Sequence, residues 1–168
     1  MSNRTIVLTH DQIQQKIRRI AHEIYEHNYQ EEKIILIGIA EQGYTLAERL
    51  HQLMKEVNGD MKVELGKLTM NKENPLNGSI NLSIHPQELN NQTLVLVDDV
   101  LNSGKTLIYA AQYLLQSPLK KMNTVCLVDR RHRRFPIRAD FVGLTLSTTI
   151  QEHIEVEFKS GNDTVYLV

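Results

Sequence analysis

Cysteine is almost absent from this chain: Cys126 is the only one. No internal disulfide is therefore available. Cys126 stands in the apolar run Thr124-Val125-Cys126-Leu127-Val128, which predicts a buried small hydrophobe rather than a reactive or metal-binding thiol. A reducing, cytoplasmic setting is the default expectation. Long apolar runs are missing too. None approaches the ~18 residues that cross a bilayer, and residues 1–5 lack the apolar stretch of a secretory signal, so no membrane partner is expected. Charge of one sign is not in excess. The net charge is -1, so nothing draws the whole chain to nucleic acid, and any such binding needs a local patch. His10, His27, His51, His85 and His153 show no metal-ligand spacing; surface or capping roles are expected.

The length, 168 residues, suits one domain with a full core. Residues 10–29 read as a helix, with Ile13, Ile17, Ile20 and Ile24 on one stripe and Arg18 and His22 opposite. Residues 33–39 form a short apolar run, hence a buried strand. A turn at Glu41-Gln42-Gly43 leads into a second helix, 44–57, closed by Asn58-Gly59. Residues 61–70 read as a strand, 71–79 as a polar, mobile loop, and 80–84 as a returning strand. Strand 93–97, helix 105–116 and strand 122–128 follow. Tyr109 and Tyr113, four apart on that helix, are expected to pack. Ile154, Val156 and Phe158 alternate, and with residues 164–168 they read as strands of a hood or an edge. Helix and strand alternate through the centre, which predicts an α/β domain with a mostly parallel sheet and helices on both faces. Such sheets bind ligands outside the carboxyl ends of their strands.

The most informative run is Leu96-Val97-Asp98-Asp99-Val100-Leu101-Asn102-Ser103-Gly104-Lys105-Thr106. Two carboxylates meet at a strand end. A small-residue loop then feeds a helix N-terminus, where free N–H groups and the helix dipole favour a phosphate. The pairing suits a ligand with vicinal hydroxyls and a phosphate, such as a ribose 5-phosphate. A nucleotide-triphosphate P-loop is excluded, because its first glycine would stand where Asp99 does.

This run resembles the phosphoribosyl-diphosphate signature of the type I phosphoribosyltransferases. The resemblance implies that Asp98 and Asp99 hold the ribose hydroxyls. It implies that Asn102, Ser103, Gly104, Lys105 and Thr106 form the phosphate loop. Magnesium would be reached through the diphosphate and the acid pair. The loop 38–43 would present Gln42 and Gly43 to the pyrophosphate. A small hood over the sheet and a homodimer or higher homo-oligomer are implied as well.

The segment from Asp129 to Gly143 carries five arginines and a histidine between Arg130 and Arg138. Arginine forks suit phosphates, and a cationic cluster also suits RNA. Together with residues 19–23, this segment resembles the PyrR group: uracil phosphoribosyltransferases that also bind the leader of pyrimidine-operon messenger RNA. The resemblance spans roughly residues 5–158. It implies Arg130 at the phosphates and a base pocket at Arg138, Asp140, Val142 and Gly143. RNA contacts would come from Arg18, Arg19, His22, His132, Arg133 and Arg138. Three departures stand out. Ala40-Glu41-Gln42-Gly43 replaces a loop with a basic pair. Met70-Asn71-Lys72 leaves Lys72 as the cation of the mobile loop and a candidate catalytic group. Asn102-Ser103-Gly104-Lys105-Thr106 replaces a loop that usually begins with tyrosine. Transfer passes through a charge-separated transition state that needs cationic donors at the departing oxygens. Two alternatives therefore stand beside uracil transfer. One is a weakly active regulator that senses a nucleoside monophosphate. The other is a 6-oxopurine enzyme, whose loop usually opens with a carboxylate where Asn102, which is no general base, stands here.

Overall fold

The computed structural model describes residues 3–57 and 59–168. β1 (Thr5–Leu8) leads into α1 (His10–His27) through a capping box. The Thr9 hydroxyl accepts from the Gln12 N–H at 3.4 Å, and the Gln12 side chain accepts from the Thr9 N–H at 2.9 Å, which satisfies two otherwise orphaned donors. The isoleucine stripe of α1 is fully buried, while Arg18 and His22 are exposed. β2 (Lys33–Ile39) is apolar without alternation because both its faces are covered. α2 (Gln42–Val57) begins two residues earlier than the apolar pattern indicated. β3 (Lys62–Thr69), β4 (Asn81–Leu82), β5 (Thr93–Leu101), α3 (Lys105–Leu114), β6 (Lys121–Asp129) and β7 (Phe141–Thr145) follow. The chain ends in β8 (Ile154–Glu157) and β9 (Thr164–Leu167).

Six strands form one sheet in the order β4-β3-β2-β5-β6-β7. All neighbours are parallel except β3 and β4. α1 and α2 pack on one face, with Ile17, Ile24, Leu46 and Leu50 against Leu36, Val95 and Val97. α3 packs on the other, with Leu107, Ala110 and Leu114 against Ile35, Leu94 and Leu96. Cys126 is fully buried on that second face, and burial followed by the charges of Asp129 and Asp98 pushes its thiol pKa up. Tyr109 and Tyr113 pack against the same cluster. No helix of the described residues is long and apolar enough to cross a membrane.

β1, β9 and β8 form a separate antiparallel sheet, the hood. Asp163, fully buried before β9, fastens it to both helices of the first face. Its carboxylate accepts from both guanidinium nitrogens of Arg49, from Gln14 Nε2 at 2.6 Å and from the Lys159 N–H at 2.9 Å. Its own N–H donates to His10 Nδ1 at 3.0 Å. Burial alone would raise the Asp163 pKa; the Arg49 bonds outweigh it and hold the carboxyl low.

Several boundaries differ from the sequence reading. β5 runs to Leu101, not 97, because pairing with β6 continues through Val100↔Val128 and Leu101↔Asp129. The acid pair therefore lies within the strand. β1 and β7 are not placed by the sequence reading; they are apolar but only four and five residues long, too short for a periodicity to show. The returning strand shrinks to Asn81–Leu82. α1 stops at His27, where Asn28 turns its side chain back to the Ile24 carbonyl at 2.9 Å. α3 stops at Leu114. Asn58, read as a helix terminator, lies outside the described residues, and so do Met1 and Ser2.

Candidate active site

The central strand β5 carries the acid pair to the carboxyl end of the sheet. Asp98 points inward and is buried, while Asp99, one residue on, faces the opposite side and is half-buried. Asp98 Oδ1 accepts from the Asp99 N–H at 2.9 Å and from Lys72 Nζ at 3.2 Å. Burial, then repulsion from Asp99, pushes the Asp98 pKa up to about 8, and Lys72 offsets this only in part. Below that pH the folded protein therefore keeps a proton on Asp98, a perturbation of the kind that clusters at functional sites.

The first turn of α2 presses on this pair. A Cβ on Gly43 would meet the Val97 carbonyl oxygen at 2.8 Å and the Asp98 Cα at 2.9 Å. The Ala40–Glu41 peptide bond before it is cis. Gly43→Ala is expected to cost about 1–3 kcal/mol of stability by overpacking. The check is a lower denaturant midpoint at unchanged slope; an unchanged midpoint would show that the turn yields freely. The Gln42 side chain donates to the Val156 carbonyl of β8 at 3.2 Å, so the hood is tied to this loop. Glu41 is exposed and lies 3.6 Å from Lys67.

On the other side, residues 102–104 connect β5 to α3. Gly104 is the N-cap of α3 at φ +87°, and a Cβ there would sit 2.7 Å from Ile137 Cγ2. Gly104, as N-cap, has no side chain to offer; Ser103 Oγ takes the Lys105 N–H at 3.2 Å, and the N–H groups that follow are left for an anion. Asp98, Ser103, Gly104, Lys105 and Thr106 line a small recess at the carboxyl end of β5. The polar loop 71–79 reaches across from β3. Lys72 meets Asp98, and Lys105 Nζ donates to the Glu73 carbonyl at 2.9 Å.

The arginine segment is the outer wall of the phosphate loop. The N–H groups of Arg134 and Phe135 both donate to the Ser103 carbonyl, at 2.8 and 3.0 Å, and the Arg130 N–H donates to the Leu101 carbonyl at 3.0 Å. Arg130 is buried. Its guanidinium donates to Asn102 Oδ1 at 3.0 Å, Thr148 Oγ1 at 3.0 Å, and the carbonyls of Thr149 and Glu152. Burial lowers its pKa, which the charge of Glu152 only partly restores. Arg133 grips Asp129 with both nitrogens, at 2.9 and 2.7 Å. His132 Nε2 lies 2.7 Å from the Thr148 carbonyl.

The structure thus brings Asp98, Asp99, Lys72, Gln42, Gly43, residues 102–106 and Arg130 to one end of the sheet. The expected base-pocket segment is less open. Asp140 accepts from the Thr124 N–H at 3.0 Å, and Arg19 takes the carbonyls of Val142 and Gly143 at 3.1 and 2.8 Å. Arg138 is exposed, with no side-chain hydrogen bond to any described residue. The expected RNA residues divide. Arg18 and His22 are exposed on α1 with no side-chain hydrogen bond to any described residue, whereas Arg19, His132 and Arg133 are engaged within the protein. Sequence reasoning missed Thr148, Glu152 and Val156. Each meets the site through its hydroxyl or main chain, where residue type carries no signal. No group of three or more metal-ligating side chains occurs among the described residues.

The phosphoribosyl transferase domain family model matches residues 3–160. A bifunctional protein PyrR of Fusobacterium nucleatum is 38% identical over 171 residues, covering 97% of each chain. A bifunctional protein PyrR of Brevibacillus brevis is 34% identical, covering 94% of this chain and 91% of its own. Among solved structures, a hypoxanthine-guanine phosphoribosyltransferase of Bacillus anthracis superposes with a TM-score of 0.73 at 19% identity, covering 89% of this chain and 86% of its own. The hypoxanthine phosphoribosyltransferase of Trypanosoma cruzi gives 0.73 at 18%, covering 89% and 84%. At that identity these two establish the fold alone. The matched domain and the relatives together show that this chain belongs to the phosphoribosyltransferase family, beside the PyrR proteins.

Proposed function

We propose that the chain transfers ribose 5-phosphate from phosphoribosyl diphosphate to uracil, releasing pyrophosphate. The observation that carries this reading is the Asp98–Asp99 pair lying between the Gly43 turn and the N-terminus of α3. Asp98 and Asp99 accept hydrogen bonds from the ribose hydroxyls. The N–H groups left open at the N-terminus of α3 hold the 5-phosphate. The backbone of loop 40–43 faces the pyrophosphate. Lys72 exchanges its bond to Asp98 for the departing oxygens, where positive charge stabilises the transition state. Loop 71–79 then shields the site from water. Arg138, the unengaged cation of the 138–143 segment, is left to reach the base.

Two adjacent carboxylates and no third ligand fit a magnesium ion held largely by the diphosphate and water. Asp98 and Asp99 are the residues that would face it. Bound there, it supplies charge neutralisation of the diphosphate.

An RNA-binding regulatory role is the second reading, with the chain acting as a homodimer or higher homo-oligomer. It is supported by the exposed Arg18 and His22 on α1 and Arg138 ahead of β7, and by the word bifunctional in the names of the relatives. One assay separates the readings: pyrophosphate release from phosphoribosyl diphosphate with magnesium and uracil, hypoxanthine or guanine. Turnover with uracil alone is expected. Turnover with a purine alone would replace uracil by a 6-oxopurine. No turnover with any base would overturn the enzyme reading in favour of a nucleoside-monophosphate sensor that acts on RNA.

A further inference from the structure

Glu41 places an acid in the loop proposed to face the pyrophosphate. It is the last residue before α2, and its carbonyl accepts the first bond of that helix, from the Thr45 N–H at 3.2 Å. It therefore occupies the N-cap position. An N-cap side chain ordinarily turns in to the second and third N–H groups of its helix, here those of Gly43 and Tyr44, and the helix dipole favours a negative charge there. A carboxylate in that place would occupy the donors beside Asp98 and repel an anion. The structure holds it elsewhere. Among the described residues the Glu41 carboxylate accepts from no backbone N–H and meets only Lys67, at 3.6 Å. Lys67 stands near the end of β3, in register with Gly38 of β2. The carbonyl of the next residue, Leu68, accepts from the Ala40 N–H at 2.9 Å, so this strand end is tied to the loop. The Lys67 ammonium also lies 5.1 Å from the centre of the Tyr44 ring, within cation–π reach. Glu41 and Tyr44 flank Gln42-Gly43, and one ammonium spans both. A cation at a helix N-terminus is disfavoured by the dipole, so its placement there calls for an anion beside it.

We propose that Lys67 is a positioning residue of the loop 40–43: seated on Tyr44, it draws the Glu41 carboxylate off the N-terminus of α2 and leaves that end open to the diphosphate of the substrate. The proposal rests on reading loop 40–43 as the pyrophosphate side of a ribose-phosphate site. Lys67 acts through Glu41 and does not touch the substrate. Without its ammonium, the carboxylate falls back on the N–H groups of Gly43 and Tyr44 and competes there with the diphosphate.

The test compares phosphoribosyl diphosphate with ribose 5-phosphate by titration calorimetry on the intact chain, with magnesium present. The two ligands differ by the diphosphate alone, and wild type is expected to bind phosphoribosyl diphosphate more tightly. Lys67→Met keeps an apolar stem on Tyr44 and removes the charge. It is expected to weaken phosphoribosyl diphosphate about tenfold, the effect of one misplaced charge close to a polyanion, and to leave ribose 5-phosphate within about twofold. Lys67→Arg keeps the charge and is expected to bind both ligands as wild type does. In the Glu41→Gln background, Lys67→Met is expected to cost about threefold at most, because no carboxylate is left to fall back. An equal loss in both backgrounds would overturn the proposal, since Lys67 would then act on the diphosphate directly. A loss shared equally by ribose 5-phosphate would overturn it as a general effect on the fold. Unchanged binding in Lys67→Met, or a wild type that binds both ligands equally well, would overturn it and leave the ribose-phosphate reading standing. Binding of neither ligand to wild type would overturn that reading and the proposal with it.

Discussion

Replacing Asp98 and Asp99 together by asparagine is expected to abolish binding of phosphoribosyl diphosphate while the domain stays folded. Each carboxylate accepts a hydrogen bond from a ribose hydroxyl, and hydrogen bonds to a charged group contribute about 1.5–3 kcal/mol apiece. Losing both corresponds to a fall in affinity of roughly a hundredfold or more. An asparagine at 98 has the size of the aspartate and needs no charge compensation. Its amide oxygen can still accept from the Asp99 N–H position, as Asp98 Oδ1 does at 2.9 Å. Titration calorimetry with magnesium present reads the affinity, and circular dichroism reads the fold. Unchanged affinity in the double variant would remove the acid pair from the site.

The single variant Asp98→Asn is expected to raise stability, most strongly at alkaline pH. The Asp98 pKa is pushed up to about 8 in the folded protein, first by burial and then by Asp99, against an ordinary value near ~3.9 in the unfolded chain. Between those values the folded state holds a proton that the unfolded chain has released. Unfolding therefore releases a proton, and wild-type stability falls as pH rises from about 4 through about 8, then levels. Asparagine has no such slope. The gain is expected to be close to nothing at pH 4 and on the order of 5 kcal/mol at pH 9. Denaturant midpoints at both pH values check it. A wild type whose stability does not fall across this range would show that Asp98 ionises freely. Asp99→Asn removes only the repulsion and is expected to give a smaller gain in the same direction. The two Asp98 predictions belong together: the carboxylate proposed to bind ribose is the one expected to cost stability, a trade common at functional sites.

The lysine contact bears on both results. Lys72 is the sole cation of its loop from Asn71 to Ser79 and already reaches Asp98 at 3.2 Å. In the proposed reaction the ribose hydroxyls compete for the same oxygen and displace Lys72 towards the departing pyrophosphate. The structure also changes the meaning of the arginine cluster. Read along the chain, its five arginines looked like a phosphate or RNA patch. In the fold, Arg130 and Arg133 are props for Asn102 and Asp129, and Arg134 and Phe135 brace Ser103 through their backbones.

The sequence alone determined the α/β class, the parallel centre and the place of the small-residue loop between β5 and α3. Those features rest on local regularities: the isoleucine stripe of α1, the unbroken apolar runs of β2 and β5, and the Asp98-to-Thr106 run with its small residues. Each is written within about ten neighbouring residues, where periodicity and turn chemistry act. Lys72 was also legible, as the one cation in a polar loop. Only the tertiary structure decided what the charged side chains do. The buried pin of Asp163 joins residues up to 153 positions apart. Arg130 reaches Asn102 across 28 positions and Thr148 across 18. Arg19 spends its guanidinium on β7 carbonyls 123 and 124 positions away. The end of β5 and the existence of β7 depended on pairing with β6, which no single strand encodes. Long-range hydrogen bonds select their partners by position in space, so a run of arginines states how much charge is present and leaves its use to the fold.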